Sequence, residues 1–249
     1  MENGSRNPYA PPIARVERDE AAPIGASGSL ENAVAGNYEF TIGGVMTEAW
    51  ALVPGFKGSF WGALGLVYLV FIVVGVVFAI ATGNIGEPPS IWLQILNGLL
   101  GIIMSPLFVG LMALGVRRAC GLPVSFSMVF GYIRKAPVLI AAALLVTLLT
   151  YLGIFLLILP GIYLAVAYGM TLPLLAFNEL GIWQAMETSR RTITHRWFGL
   201  FGLYLVVCVL MALSALPLLI PLVWTLPWSL LVFGVVYRRM FGVPPGLAG

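Results

Sequence analysis

Residues 57–87 read KGSFWGALGLVYLVFIVVGVVFAIATGNIGE: one lysine, 29 residues without a formal charge, then one glutamate. About 20 apolar residues in a helix cross a hydrocarbon core of roughly 30 Å, so this stretch alone predicts a transmembrane helix. Three more charge-free stretches follow, at 88–116, 136–178 and 197–237. The last two are each long enough for two crossings and carry Pro/Gly breaks near their centres. Six spans result, over 60–81, 91–116, 136–158, 162–177, 197–216 and 222–237.

The thirteen basic residues lie between these stretches, at Arg6, Arg15, Arg18, Lys57, Arg117, Arg118, Arg134, Lys135, Arg190, Arg191, Arg196, Arg238 and Arg239. With six crossings all of them land on one side. The positive-inside rule makes that side cytoplasmic and puts both termini there. The expected fold class is an all-α integral membrane protein with six transmembrane helices.

Composition agrees. Charged residues make up 9% of the 249 and hydrophobic residues 60%, with a mean hydropathy of +0.98. A soluble domain carries roughly 25% charge, so a second, soluble domain does not fit this length. The net charge of +3 reads as membrane orientation and contact with anionic lipid, and nucleic acid is not expected as a partner. Cys120 and Cys208 fall on a proposed cytoplasmic edge and in mid-span, so no disulfide is expected between them. With one histidine, no metal site or other cofactor is expected either. The first 40 residues hold no apolar core of a signal peptide, and the first span is expected to act as the targeting signal.

The chain divides into a disordered cytoplasmic tail at 1–40, a six-span membrane domain at 41–240 and a short cytoplasmic tail at 241–249. Between spans, three segments read as short cytoplasmic interfacial amphipathic helices. The first is capped by Thr41 and carries Ile42, Val45, Met46, Ala49 and Trp50 at helical spacing. The second covers 125–135. The third covers 178–196, with Leu180, Trp183, Met186, Ile193 and Trp197 on one face, and is expected to lie in the headgroup plane, apolar side down. Glu187 and Arg191 form an i,i+4 pair along it. Each amphipathic segment with its two following spans reads as one unit of a threefold internal repeat. Arg117-Arg118-Ala119-Cys120-Gly121-Leu122-Pro123 matches Arg238-Arg239-Met240-Phe241-Gly242-Val243-Pro244.

The spans contain no Asp, Glu, Lys, Arg or His. General acid–base chemistry and ion relays both need such groups, so no catalytic residue is assigned and the chain is read as no enzyme. His195, Glu179 and Glu187 all read as solvated cytoplasmic residues. Breaks are expected at Ser105-Pro106, at 169–173 and at Leu226-Pro227, and Ser105, Pro106, Thr171 and Pro173 would border any solute cavity near mid-membrane. Gly58/Gly62, Gly101/Ser105 and Ala165/Gly169 have the spacing of close helix contacts, within the bundle or in a homo-oligomer.

Leu159-Pro160-Gly161-Ile162-Tyr163-Leu164, followed by Pro173, Gly181, Ala185, Ser189 and Gly199, resembles a pattern in uncharacterised bacterial six-span inner-membrane proteins. These are similar to the membrane domain associated with glycerophosphodiester phosphodiesterases. The resemblance covers 159–200 and implies a bundle in the bacterial inner membrane. It implies no agreed activity, and nothing in residues 1–249 is read as a counterpart of the phosphodiesterase domain's metal-binding acidic and histidine residues.

Two functional readings stand. The first is a non-catalytic protein binding membrane lipid headgroups or a protein partner through Arg134, Lys135, Arg190, Arg191 and Arg196. The alternative is a transporter of a small apolar or amphipathic solute through the cavity named above.

Overall fold

The computed structural model describes residues 28–83 and 90–248. Most of the expected N-terminal tail, 1–27, and the loop carrying Glu87 lie outside the described residues. Helix accounts for 80% and no strand forms among the described residues, so the class is all-α.

The elements run α1 (Leu30–Val34), α2 (Ile42–Leu52), α3 (Lys57–Thr82), α4 (Ile91–Ile103), α5 (Ser105–Ala119), α6 (Ala136–Leu156), α7 (Ile158–Ala167), α8 (Thr171–Phe177), α9 (Ile182–His195), α10 (Trp197–Ala215), α11 (Leu222–Phe241) and α12 (Pro245–Ala248). Four helical segments are long and apolar enough to cross a membrane: Lys57–Ala81, Phe126–Leu156, Ile158–Phe177 and Trp197–Ala215. The pair Gln94–Ile103 and Ser105–Ala119 makes a fifth if it is counted as one span; it is bent by 52° where Ser105-Pro106 is expected to break the helix. The stretch expected as a sixth forms α11, which is of similar length but carries Pro227, two tryptophans and Arg238-Arg239.

α11 is the central helix. Leu231, Val232, Val235, Val236 and Met240 are buried against α5 and α2. Its approach to α5 depends on two glycines. A Cβ on Gly115 would meet the Leu230 carbonyl at 2.6 Å, and one on Gly234 would run into the Gly115 backbone. Pro227 lacks an N–H and so frees the Val223 carbonyl one turn earlier, and the Trp61 indole of α3 donates to that carbonyl at 3.3 Å.

The glycines expected to mediate close contact behave otherwise. Gly58 and Gly101 face open space, Gly62 meets the Phe126 ring, and the tightest crossings use Gly110, Gly115, Gly153, Gly161 and Gly234. Leu159-Pro160-Gly161, expected as the turn between two spans, lies inside the first turn and a half of α7, and the chain turns earlier, at extended Leu157. Proline is tolerated in a first helical turn, where its missing N–H has no partner to lose. Gly161 is required by the hairpin with α6: a Cβ on Gly153 would sit 3.0 Å from the Gly161 Cα.

Two interfacial expectations are corrected. Residues 125–135 form two 3₁₀ turns, Phe126–Phe130 and Ile133–Lys135, seated on α5 where Gly110 admits the Val129 backbone. In α9, Ala185, Met186, Ser189, Thr192 and Ile193 are buried against α7, α8 and the rest of the bundle, while Trp183 is 71% exposed. The apolar face of α9 therefore covers protein. The reason is the break between α7 and α8: the Ser189 hydroxyl donates to Ala167 O at 2.7 Å and accepts from Met170 N–H at 3.2 Å. Those two groups have no helical partner there, and α9 supplies one. Pro173 sits in the first turn of α8 and breaks nothing.

Residues 28–40 fold onto this bundle. Ser29 caps α1, accepting from Asn32 N–H at 3.1 Å, and Ala33 and Tyr38 are buried. At the other end Leu247 of α12 is buried as well, with Gly246 against the Phe177 carbonyl.

Candidate functional site

The basic residues between spans are not simply solvated. A helix leaves its last carbonyls unpaired, and the dipole makes that end negative, so cations collect there. Arg118 Nε donates to Leu52 O, the last residue of α2, at 3.2 Å, and its Nη2 to Pro54 O at 2.6 Å. Arg117 donates to Pro123 O and to Leu247 O, both at 2.9 Å. Lys135 Nζ reaches Ala176 O near the end of α8 at 2.8 Å. Arg238 donates to Ala119 O, the last residue of α5. The C-terminal ends of α2, α5, α8 and α11 are thus stitched into one face by cations.

The five residues read as a lipid- or partner-binding collar divide. Arg134 is exposed and has no ion pair among the described residues. Lys135 is committed to Ala176 O. Arg190 holds Glu187 through two bonds, at 2.9 and 2.8 Å, and Arg191 holds the same carboxylate at 2.6 Å, the pair expected from spacing. Hydrogen bonds from Arg190 and then Arg191 outweigh the small cost of burial and hold the Glu187 carboxyl down at about 2. Arg196 makes only a 4.0 Å approach to Glu39 and lies over the Tyr38 ring at 6.0 Å.

Arg196 instead joins Arg238 and Arg239 around a cleft of about 620 Å³, completed by Gly36, Asn37, Tyr38 and Glu39. Glu48 of α2 fixes one of its walls, Arg238 and Arg239. Arg238 Nη2 donates to Glu48 Oε1, and Arg239 donates to Oε2 through Nε at 3.1 Å and Nη2 at 2.6 Å. Burial by itself raises the Glu48 carboxyl, but the hydrogen bonds and charge of Arg239 and Arg238 outweigh it and hold the group below its ordinary value. The opposite wall is the loop 36–39. Gly36 takes φ +79° with the His195 ring beneath it, where a Cβ would lie 2.9 Å from Cγ. His195 Nε2 lies 3.0 Å from Val34 O, so the one histidine is a strut for this loop. Tyr38 donates its O–H to Thr192 O at 2.7 Å, and burial pushes its phenol up to about 12 despite nearby Arg196.

Of these residues only Arg196 is in the expected set. Glu48 had one sequence signal: an acid set between Val45 and Ala49 on the face of α2 that becomes buried.

The four residues expected around a solute cavity separate. Ser105 lines an apolar groove of about 860 Å³ between α4, α5 and α6, with Gln94, Gly98, Gly101, Thr147 and Tyr151. Pro173 lines a second groove of about 470 Å³ with Thr150 and Tyr168. Pro106 and Thr171 are buried and line neither groove. The hydroxyls of Ser105 and Thr171 have no hydrogen-bond partner among the described residues.

Comparison of the chain with protein-family models, with curated proteins and with solved structures gives no match.

Proposed function

We propose that this chain is a non-catalytic, six-span protein of the bacterial inner membrane, with both termini cytoplasmic, that binds anionic phospholipid headgroups at its basic face. The observation that carries the reading is the gathering of cations at four helix ends, with those of α9, on one side of the bundle. Near an anionic leaflet each such cation contributes about 1 kcal/mol. α11 is taken as the sixth span. A repeat of the spans is supported at one point, where Gly121 and Gly242, equivalent after the paired arginines, both take φ 73°. The resemblance to the bacterial membrane domain is part of the same proposal, since Ala185 and Ser189 of its pattern are buried beside the break between α7 and α8.

The test is charge reversal of Arg134, Lys135, Arg190, Arg191 and Arg196, with the co-purifying lipids read by mass spectrometry. Loss of anionic lipid is expected, and an unchanged lipid profile would remove the proposal.

A second reading, movement of a small amphipathic solute, is favoured by one observation: the groove lined by Ser105, whose buried hydroxyl has no partner. Substituting Leu for Gly98 and Gly101 fills that groove, and transport unaffected by the filling would dismiss this reading.

A further inference from the structure

We propose that the cleft between the loop 36–39 and Arg196, Arg238 and Arg239 is a phosphate site, one that rests on the headgroup reading for its natural occupant. Three guanidiniums line it, and two carboxylates stand against them, Glu39 in the lining and Glu48 behind Arg238 and Arg239. One of the two, Glu48, is wholly engaged with Arg238 and Arg239, and the other, Glu39, is 92% exposed and no nearer than 4.0 Å to Arg196. Among the described residues one positive charge is left over, and it is carried on a side chain with its donors unspent: the Arg196 guanidinium makes no hydrogen bond to them. Arg238 is 4% exposed, and its Nε finds no partner among the described residues either.

The planar fork of arginine matches phosphate oxygens in pairs, which selects phosphate over a spherical anion. Its charge also survives at any physiological pH. The walls are set before a ligand arrives. Glu48 holds one side, while the Tyr38 hydrogen bond and the His195 strut hold the other, so little ordering cost remains for binding. Asn37 adds an exposed amide at the rim. Location points to a lipid as the source. Arg196 immediately precedes Trp197–Ala215, one of the segments apolar enough to cross a membrane, and Phe198 in the first turn of that segment is 84% exposed. The cleft thus adjoins the first residues of an apolar segment, where a headgroup phosphate would meet it.

The experiment uses the full-length protein in phosphatidylcholine nanodiscs with a minor fraction of phosphatidic acid, read by native mass spectrometry. Thermal stabilisation by millimolar inorganic phosphate is measured in parallel. The variants are Arg196→Gln, Asn37→Asp and Glu39→Gln. Retention of phosphatidic acid should fall roughly tenfold in the first two. Glu39→Gln, which removes the competing carboxylate, should tighten it. Stabilisation by inorganic phosphate with the same order of variants, but no lipid preference, would keep the phosphate site and end the headgroup reading. A lipid preference indifferent to all three variants would overturn the cleft and leave that reading standing. Absence of a variant-sensitive response in both arms overturns both.

Discussion

Glu48 shows how one side chain can organise a face of this molecule. It lies a turn from the end of α2 and binds both arginines at the end of α11, about 190 positions later in the chain. Removing one partner of a buried pair costs more than the pair is worth, because the other charge is left without compensation. About a quarter of the Glu48 side chain is exposed, which reduces that cost. Glu48→Gln is expected to lower stability by about 2 kcal/mol. The pH dependence has a definite sign. The Glu48 carboxyl is held below its ordinary value in the folded protein, so its contribution is complete above about pH 5 and is lost as pH falls through the lowered value. Melting temperatures of wild type and Glu48→Gln in detergent should therefore differ at neutral pH and converge in acid. A gap that stays constant down to low pH would assign the effect to packing alone.

At the scale of elements, the positions of helices were legible and their partners were not. The charge-free stretches place every long helix, because hydrophobic length is a local property of sequence. Thr41 caps α2 as read, accepting from Gly44 N–H at 3.2 Å. What a glycine is for depends on another segment, so Gly58 and Gly101, with suggestive spacing, face open space while Gly115 and Gly234 carry the central crossing. The same holds for α9, whose apolar face satisfies a lipid surface and a protein surface equally well by composition. The groups freed between α7 and α8 decide for protein, and they are visible only once the helices are in place. Gly234→Ala should push α11 off α5 and destabilise by about 1–3 kcal/mol, as overpacking does. Gly101→Ala should be neutral or gain up to about 1 kcal/mol from helix propensity. Thermal unfolding of the two variants side by side checks the assignment, and equal effects would refute it.

Across the whole molecule, the central account is that a bundle of membrane-length helices turns one charged face to one side. Of the candidate site, the sequence showed the charges and the Glu187–Arg191 pair, a local spacing, but not the engagement of Lys135 with Ala176 O or the entry of Arg196 into the cleft, which depend on distant segments. Orientation has its own check. With Cys120 and Cys208 replaced by Ser, a cysteine at Arg134 should react with an impermeant maleimide only in inverted vesicles, and one at Leu218 only in right-side-out cells. Leu218 suits this purpose because it is 86% exposed in the turn between α10 and α11. The most direct measurement of the central claim is the composition of the lipid shell. Native mass spectrometry of the protein released from mixed phosphatidylcholine and phosphatidylglycerol bilayers should find phosphatidylglycerol enriched over its bulk fraction, and the enrichment should shrink as salt screens the arginines. A shell that matches the bulk mixture at low salt would contradict the account.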